Sequence, residues 1–258
     1  MRVHAVQPED HDFVQEVAAK VMSTYDGRGI NWKHPGNDPE VWKLNSGQRA
    51  GVVGVETKGR RCCAKLFYDD RLRARLRNLI GLPKANRAYA HAMKLKQHGI
   101  GCPDMIGLVC IKATGPFLVV SELCDYASRT DHYIREHGIN SDLVKCFAEF
   151  VRQMHGAGVA HIDFSLRNTL VVEDDYSPRY RFLLLDYEDA RFYPALSRGK
   201  RLSNLHHLLE RALPLVSVKW RLVFLREYLQ VDSFRDWVED INALLKKHPS
   251  KYTAELNG

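Results

Sequence analysis

This sequence lacks any long apolar run. Nothing in its 258 residues approaches the roughly 20 consecutive apolar residues that a membrane-spanning helix needs. The longer runs, Met105–Ile111, Phe117–Val120 and Phe182–Leu185, have strand length. Cysteine is also sparse. The six cysteines, at 62, 63, 102, 110, 124 and 146, include no CxxC pair, and adjacent Cys62 and Cys63 do not have metal-ligand spacing. That excludes a disulfide scaffold and points to reduced thiols in a cytosol. The opening MRVHAVQPEDHDF carries acids and no apolar core, so a secretory signal is not expected. Internal repeats and low-complexity stretches are missing too. One window lacks acids entirely: from Arg71 to Pro103 there is no Asp or Glu, while Arg71, Arg73, Arg75, Arg77, Lys84, Arg87, Lys94 and Lys96 all fall within it.

What is present describes a globular chain. Apolar residues make up 45% and charged residues 27%, which excludes a disordered or fibrous protein. The formal charge is +7 and the pI 9.1. That balance fits a polyanionic neighbour or simply a solvated basic surface. It lacks a basic motif interleaved with aromatics, so no nucleic-acid partner is expected.

The apolar spacing predicts the elements. Phe13, Val14, Val17, Ala18 and Val21 recur at helical intervals, before a Gly/Pro/Asn-rich loop near Gly27–Pro39. From Val41 to Phe67 the pattern turns to strands: Gly51–Val55 and Cys62–Phe67 flank a turn at Lys58-Gly59-Arg60. Asn86–His98 reads as a helix closed by Gly99 with Pro103 beyond. Met105–Val109 and Phe117–Val120 are two further strands. After Cys124 the chain becomes helical. Ser141 is the expected N-cap of a helix whose core stripe is Leu143, Phe147, Phe150, Val151 and Met154, closed by Gly156. Strands at Thr169–Val172 and Phe182–Leu185 precede helices at Leu202–Leu213, Lys219–Leu229 and Phe234–Leu245, the last with Ser233 and Asp236 in a capping-box arrangement. Its stripe of Phe234, Trp237, Ile241 and Leu244 reads as packing. The order predicts an α+β chain: a small β-rich lobe with one main helix (residues 1–124), a larger helical lobe (residues 125–258) and a cleft between them.

The chemistry concentrates in three places. His161-Ile162-Asp163-Phe164-Ser165-Leu166-Arg167-Asn168 is HxDxxxxN followed by an apolar strand. Leu183-Leu184-Leu185-Asp186 is an apolar strand ending in an acid. Lys65 sits inside an apolar strand well upstream. Each alone is ordinary: a strand-end Asp is usually a turn residue, and a strand Lys usually faces solvent. The order Lys…HxDxxxxN…strand-Asp is the grammar of phosphoryl transfer, which needs positioning and charge neutralisation above all. A strand lysine supplies a fixed cation for the α/β-phosphates. Asp163 orients the acceptor hydroxyl and takes its proton. Asn168 and Asp186 hold Mg²⁺, a hard cation that prefers oxygen ligands. His161 supports the loop.

These segments resemble the lipopolysaccharide kinase family, the Kdo- and heptose-phosphorylating enzymes with a two-lobed protein-kinase-like fold. The resemblance spans roughly Val41 to Leu213. It is carried by AKLF (64–67), GLPKANRAYAHAMKLKQHGIGCPD (81–104), FLVVSELCD (117–125), FVRQMHGAGVAHIDFSLRNTLV (150–171), FLLLDYEDAR (182–191) and SNLHHLLERAL (203–213). An H-x-x-G turn, His155 to Gly158, leads into the catalytic loop, and an N-L-x-x-L helix, Asn204 to Leu208, follows the metal-binding acid. The resemblance implies ATP-dependent phosphorylation of a sugar hydroxyl in the lipopolysaccharide inner core. It implies a glycolipid or sugar acceptor, and a cytoplasmic protein associating with the cytoplasmic face of the inner membrane. By position, Glu122 to Cys124 form the hinge that offers backbone groups to adenine. The sequence departs from the family pattern in three ways. Ala88 stands where the family usually has a Glu that pairs with the strand lysine, so Lys65 either takes its orientation from another acid, such as Asp186 or Glu188, or is poorly held. A glycine-rich phosphate loop is only suggested by Ser46-Gly47 and Gly51–Gly54. Ile162 replaces the arginine that in many protein kinases reads an activation-loop phosphate, so no such control is expected.

Three other readings share this grammar. An aminoglycoside/choline-type kinase fits Asp186-Tyr187-Glu188-Asp189-Ala190, but such enzymes insert a long segment between hinge and catalytic loop that is missing here. A protein kinase would show Ala-Pro-Glu after Asp186, and none is present. A nucleotide-binding pseudokinase fits Ala88, against the retention of Lys65, Asp163, Asn168 and Asp186 together.

Overall fold

In a computed structural model of the chain, the described residues are 1–25, 40–46, 50–68, 84–111, 116–176, 178–230 and 234–247. They fall into two compact units. The first comprises Met1–Lys94 and Pro103–Cys124, the second Leu95–Cys102 and Asp125–Gly258.

The first unit is built on an antiparallel sheet. Its strands are β1 (Arg2–Ala5), β2 (Val41–Ser46), β3 (Ala50–Thr57), β4 (Arg60–Phe67), β5 (Met105–Cys110) and β6 (Phe117–Glu122), in the order β1-β5-β6-β4-β3-β2. β3 and β4 form the expected hairpin. Lys58 and Gly59 both have positive φ, 52° and 68°, the sign that a tight two-residue turn needs to match strand twist. Alternation then assigns the faces of β4. Cys62, Ala64 and Leu66 are fully buried in one core with Val53, Val55, Leu118 and Val120, while Cys63 and Lys65 lie on the other face.

Helix α1 (His11–Ser23) covers the core face with Phe13, Val14, Val17, Ala18 and Val21. The helix expected at Asn86–His98 is present as α2 (Lys84–Gln97), and the helical spacing of Phe13–Val21 is a full helix too, so this unit holds two helices where one main helix was expected. The stripe of α1 was legible, but its docking onto the sheet depends on strands far along the chain. Gly99, at φ 70°, follows α2 as expected. The loop at Gly27–Pro39, Gly47, most of the acid-free window's first half (Arg71, Arg73, Arg75, Arg77) and the Ser233 cap lie outside the described residues.

The second unit is mainly helical: α3 (Thr130–His137), α4 (Ser141–Gly156), α5 (Arg198–Ala212), α6 (Val218–Leu229) and α7 (Phe234–Lys247). Short strands carry its loops. β7 (Ser128–Arg129), β9 (Thr169–Glu173) and β10 (Tyr180–Leu184) pair in the order β10-β9-β7, and β8 (Val159–His161) pairs with β11 (Ala190–Phe192). The cap of α4 is Asn140, not Ser141: its side chain accepts a 2.8 Å bond from Leu143 N, which satisfies an otherwise orphaned donor. Aromatic side chains of α4, β10 and α6 and of the loop after β8 fill the core. Phe147 meets Phe182 edge-on at 4.9 Å and stacks at 6.4 Å on Phe164, whose side chain is fully buried. Leu184 N donates to Gly101 O at 2.8 Å, which attaches the segment Leu95–Cys102 to this unit.

Candidate active site

Strand register brings together the backbone segments of the second unit that carry Asp163, Asn168 and Asp186. β9 and β10 pair antiparallel with Thr169 opposite Leu184, and Leu185 N donates to Asn168 O at 2.8 Å. The residues just outside this ladder are Asn168 and Leu185, and Asp186 follows directly on Leu185. From the other side, β8 pairs with β11 so that His161 faces Ala190, and Ile162 N donates to Asp189 O at 3.1 Å. His161 Nε2 lies 3.0 Å from the Asp186 carbonyl. A carbonyl only accepts, so Nε2 carries the proton. His161 is completely buried, which agrees with a supporting role.

Asp163 and Asn168 belong to one closed loop. Asn168 Nδ2 donates to Asp163 O at 2.7 Å, and Asp163 Oδ2 lies 3.5 Å away. Between them a 3-10 turn spans Leu166–Asn168, and buried Phe164 pins the loop into the aromatic core. Asp186 has φ 51° and ψ 36° and opens the turn Tyr187–Asp189. Left-handed backbone at a non-glycine residue is tolerated best by Asn and Asp, and strain of about 1–3 kcal/mol is the kind that persists at functional sites.

A buried polar network that the sequence did not reveal stands behind this loop. Tyr228 OH donates to His155 Nδ1 at 2.8 Å, and His155 Nε2 donates to Asn204 Oδ1 at 2.9 Å. Asn204 Nδ2 in turn donates to His161 O at 2.5 Å. Burial pushes the His155 imidazole down to about 4 and the Tyr228 hydroxyl up to about 12. The histidine is therefore neutral and the tyrosine protonated, as this donor order requires. The H-x-x-G turn and the N-L-x-x-L helix thus meet physically. One signal did exist: Asn204 interrupts the buried stripe of Leu202, Leu205, Leu208 and Leu209 on α5. Gly158 completes the turn. It has φ 75°, and a Cβ there would lie 2.0 Å from Tyr193 O, so only glycine fits.

Two arginines escaped the sequence reading. Arg211, in the last turn of α5, forms an ion pair with Asp163 Oδ1. Arg167 of the loop lies 3.7 Å from Asp131, which Arg129 also grips through Nε at 2.5 Å and Nη2 at 3.0 Å. Burial pushes the Asp131 carboxyl up, but the hydrogen bonds and charge of Arg129 outweigh it and hold the group below its usual range.

The remaining expected residues lie in the first unit. Lys65 stands opposite Val52 on β3 and Val119 on β6, partly buried, with Nζ 5.3 Å from the centre of the Phe67 ring. Ala88 is buried on α2. Glu122 ends β6 and donates its N–H to Asp104 O at 2.8 Å; Cys124 is buried two residues on. Gly54 serves packing. Trp42 lies across it on β2, and a Cβ on Gly54 would sit 2.1 Å from the indole.

A closed HxDxxxxN loop near a strand-end aspartate is an arrangement that phosphotransferases use. Residues 44–238 match the Lipopolysaccharide kinase (Kdo/WaaP) family, and the chain belongs to it. It is therefore a lipopolysaccharide core kinase by family. Among solved structures, one described as WaaP in complex with acyl carrier protein shares the fold, with a TM-score of 0.63 and 19% identity over 96% of each chain. No curated protein matches the chain significantly. Among the described residues, no helix is long and apolar enough to cross a membrane.

Proposed function

We propose that this protein transfers the γ-phosphoryl group of ATP to a sugar hydroxyl of the lipopolysaccharide inner core. In this reading the chain is a two-lobed kinase. Residues 1–124 supply the groups that hold the nucleotide, and residues 125–258 supply the transfer loop. Lys65 places its charge against the phosphates, and the backbone at Glu122 and Cys124 meets adenine. Asp163 orients the hydroxyl and takes its proton as the oxygen–phosphorus bond forms and ADP leaves. The observation that carries the reading is the closed loop joining Asp163 to Asn168, set beside Asp186 by strand register.

The donor set suits Mg²⁺. Asn168 spends its Nδ2 on Asp163, which leaves Oδ1 as a neutral oxygen ligand, and Asp186 adds a carboxylate. When bound, the ion neutralises phosphate charge. The acceptor is a glycolipid, so the protein works at the cytoplasmic face of the inner membrane without spanning it. The test is the mass of lipopolysaccharide core from cells with the protein, without it, and with Asp163→Ala. A phosphate-sized increment that needs the intact aspartate supports the reading. Transfer of labelled phosphate to protein but never to glycolipid overturns it.

A further inference from the structure

The contact between Arg211 and Asp163 needs a physical reason. Asp163 is the carboxylate assigned to the acceptor hydroxyl, and a guanidinium rests on one of its two oxygens. Both side chains remain open to solvent, 38% for Arg211 and 49% for Asp163. An exposed pair of this kind contributes at most about 1 kcal/mol. The loop does not need it as a fastener, because Phe164, Asn168 and the Asn204 network already hold the backbone. Arg167, an arginine of the loop itself, is turned to Asp131. Arg211 therefore stands where the acceptor hydroxyl must arrive, with a partner it can give up cheaply. A guanidinium offers a planar fork of donors that matches a carboxylate or phosphate through two parallel hydrogen bonds.

We propose that Arg211 is an acceptor-binding residue: its guanidinium takes a carboxylate or phosphate on the acceptor sugar, close to the hydroxyl being phosphorylated, and thereby releases Asp163 Oδ1 to that hydroxyl. The proposal rests on the kinase reading and narrows it to an anionic acceptor. A neutral sugar leaves Arg211 on Asp163 and is phosphorylated poorly. An anionic one supplies the competing oxyanion and is both bound and activated by the same exchange.

Steady-state kinetics of the full chain test this with Mg·ATP and purified core glycolipid. Arg211→Met should raise KM for the intact acceptor at least tenfold, equivalent to about 1.4 kcal/mol. It should leave kcat within about threefold and KM for ATP unchanged. Arg211→Lys, which keeps the charge but not the fork, should fall between. Two altered acceptors separate the sources of the anion: one with its carboxyl methyl-esterified, one treated with phosphatase. Whichever removes the recognised group raises the wild-type KM by the same factor and leaves Arg211→Met indifferent. These arms use wild-type protein and stand whatever the variants do to folding. If Arg211→Met lowers kcat equally on every acceptor with KM unmoved, Arg211 only positions Asp163 and the proposal fails. If wild type phosphorylates the intact and both altered acceptors alike, the proposal fails while the kinase reading survives. If wild type phosphorylates no core glycolipid, both fall.

Discussion

Lys65 and Asp163 are carried on different supports. Lys65 stands on a central strand, held by ladder hydrogen bonds and by the apolar core under α1. Asp163 stands in an irregular loop, held by one buried aromatic side chain and a chain of side-chain hydrogen bonds through Asn168, Asn204, His155 and Tyr228. A strand tolerates the loss of one partly exposed side chain because its neighbours still define its path. A loop without repeating backbone bonds has no such redundancy, and every unsatisfied partner behind it is buried.

The sharpest break in this comparison is at the chemistry. Asp163→Ala should lower turnover by about 10²–10⁴-fold while nucleotide affinity stays close to wild type. Single-turnover rates and ATP titration check this; a variant with normal turnover would show that the loop is not the reaction site. Next is the support itself. Asn204→Leu leaves His155 Nε2 and the His161 carbonyl without their partner, at about 1–3 kcal/mol for each buried group. Urea melts should show that loss, and turnover should fall with it.

A pH series comes next. His155 titrates near 4 in the fold against 6.5 when free, so the unfolded chain takes up the proton first. Its contribution is fully present above 6.5 and is lost as pH falls towards 4, in total on the order of 3 kcal/mol. Denaturant midpoints between those values should decline for wild type and decline less for His155→Gln relative to its own plateau. The smallest stability effect belongs to the strand. Lys65→Met should change the unfolding free energy read from urea melts by no more than about 0.5 kcal/mol while slowing transfer. A large stability loss there would erase the contrast between the two supports.

The sequence made the supports unequally legible. The stripes of α1 and α4, the β3–β4 hairpin and the alternation that puts Lys65 opposite the core all come from near neighbours in the chain. So does HxDxxxxN, whose five-residue spacing closes through a single Asn168–Asp163 bond. The Asn140 cap was missed by one residue because Ser141 is an equally good capping type, and only the backbone shows which side chain reaches Leu143 N. Asn204 was legible as a family motif without its reason, since its partners lie 49 and 43 residues away. Arg211 gave no local signal at all.

By itself the sequence determined the order of elements, the residue types able to carry phosphoryl transfer and the family they belong to. The elements follow from periodicity and spacing over a few residues, where backbone geometry leaves few choices, and the family from the resemblance of the motifs. Only the tertiary structure decided that α1 covers the sheet, that Asn204 braces the loop after His161 and that Arg211 rests on Asp163. Those pairings depend on how helices stack against strands far away in the chain, and one helix can present a given side chain to several partners until packing selects one.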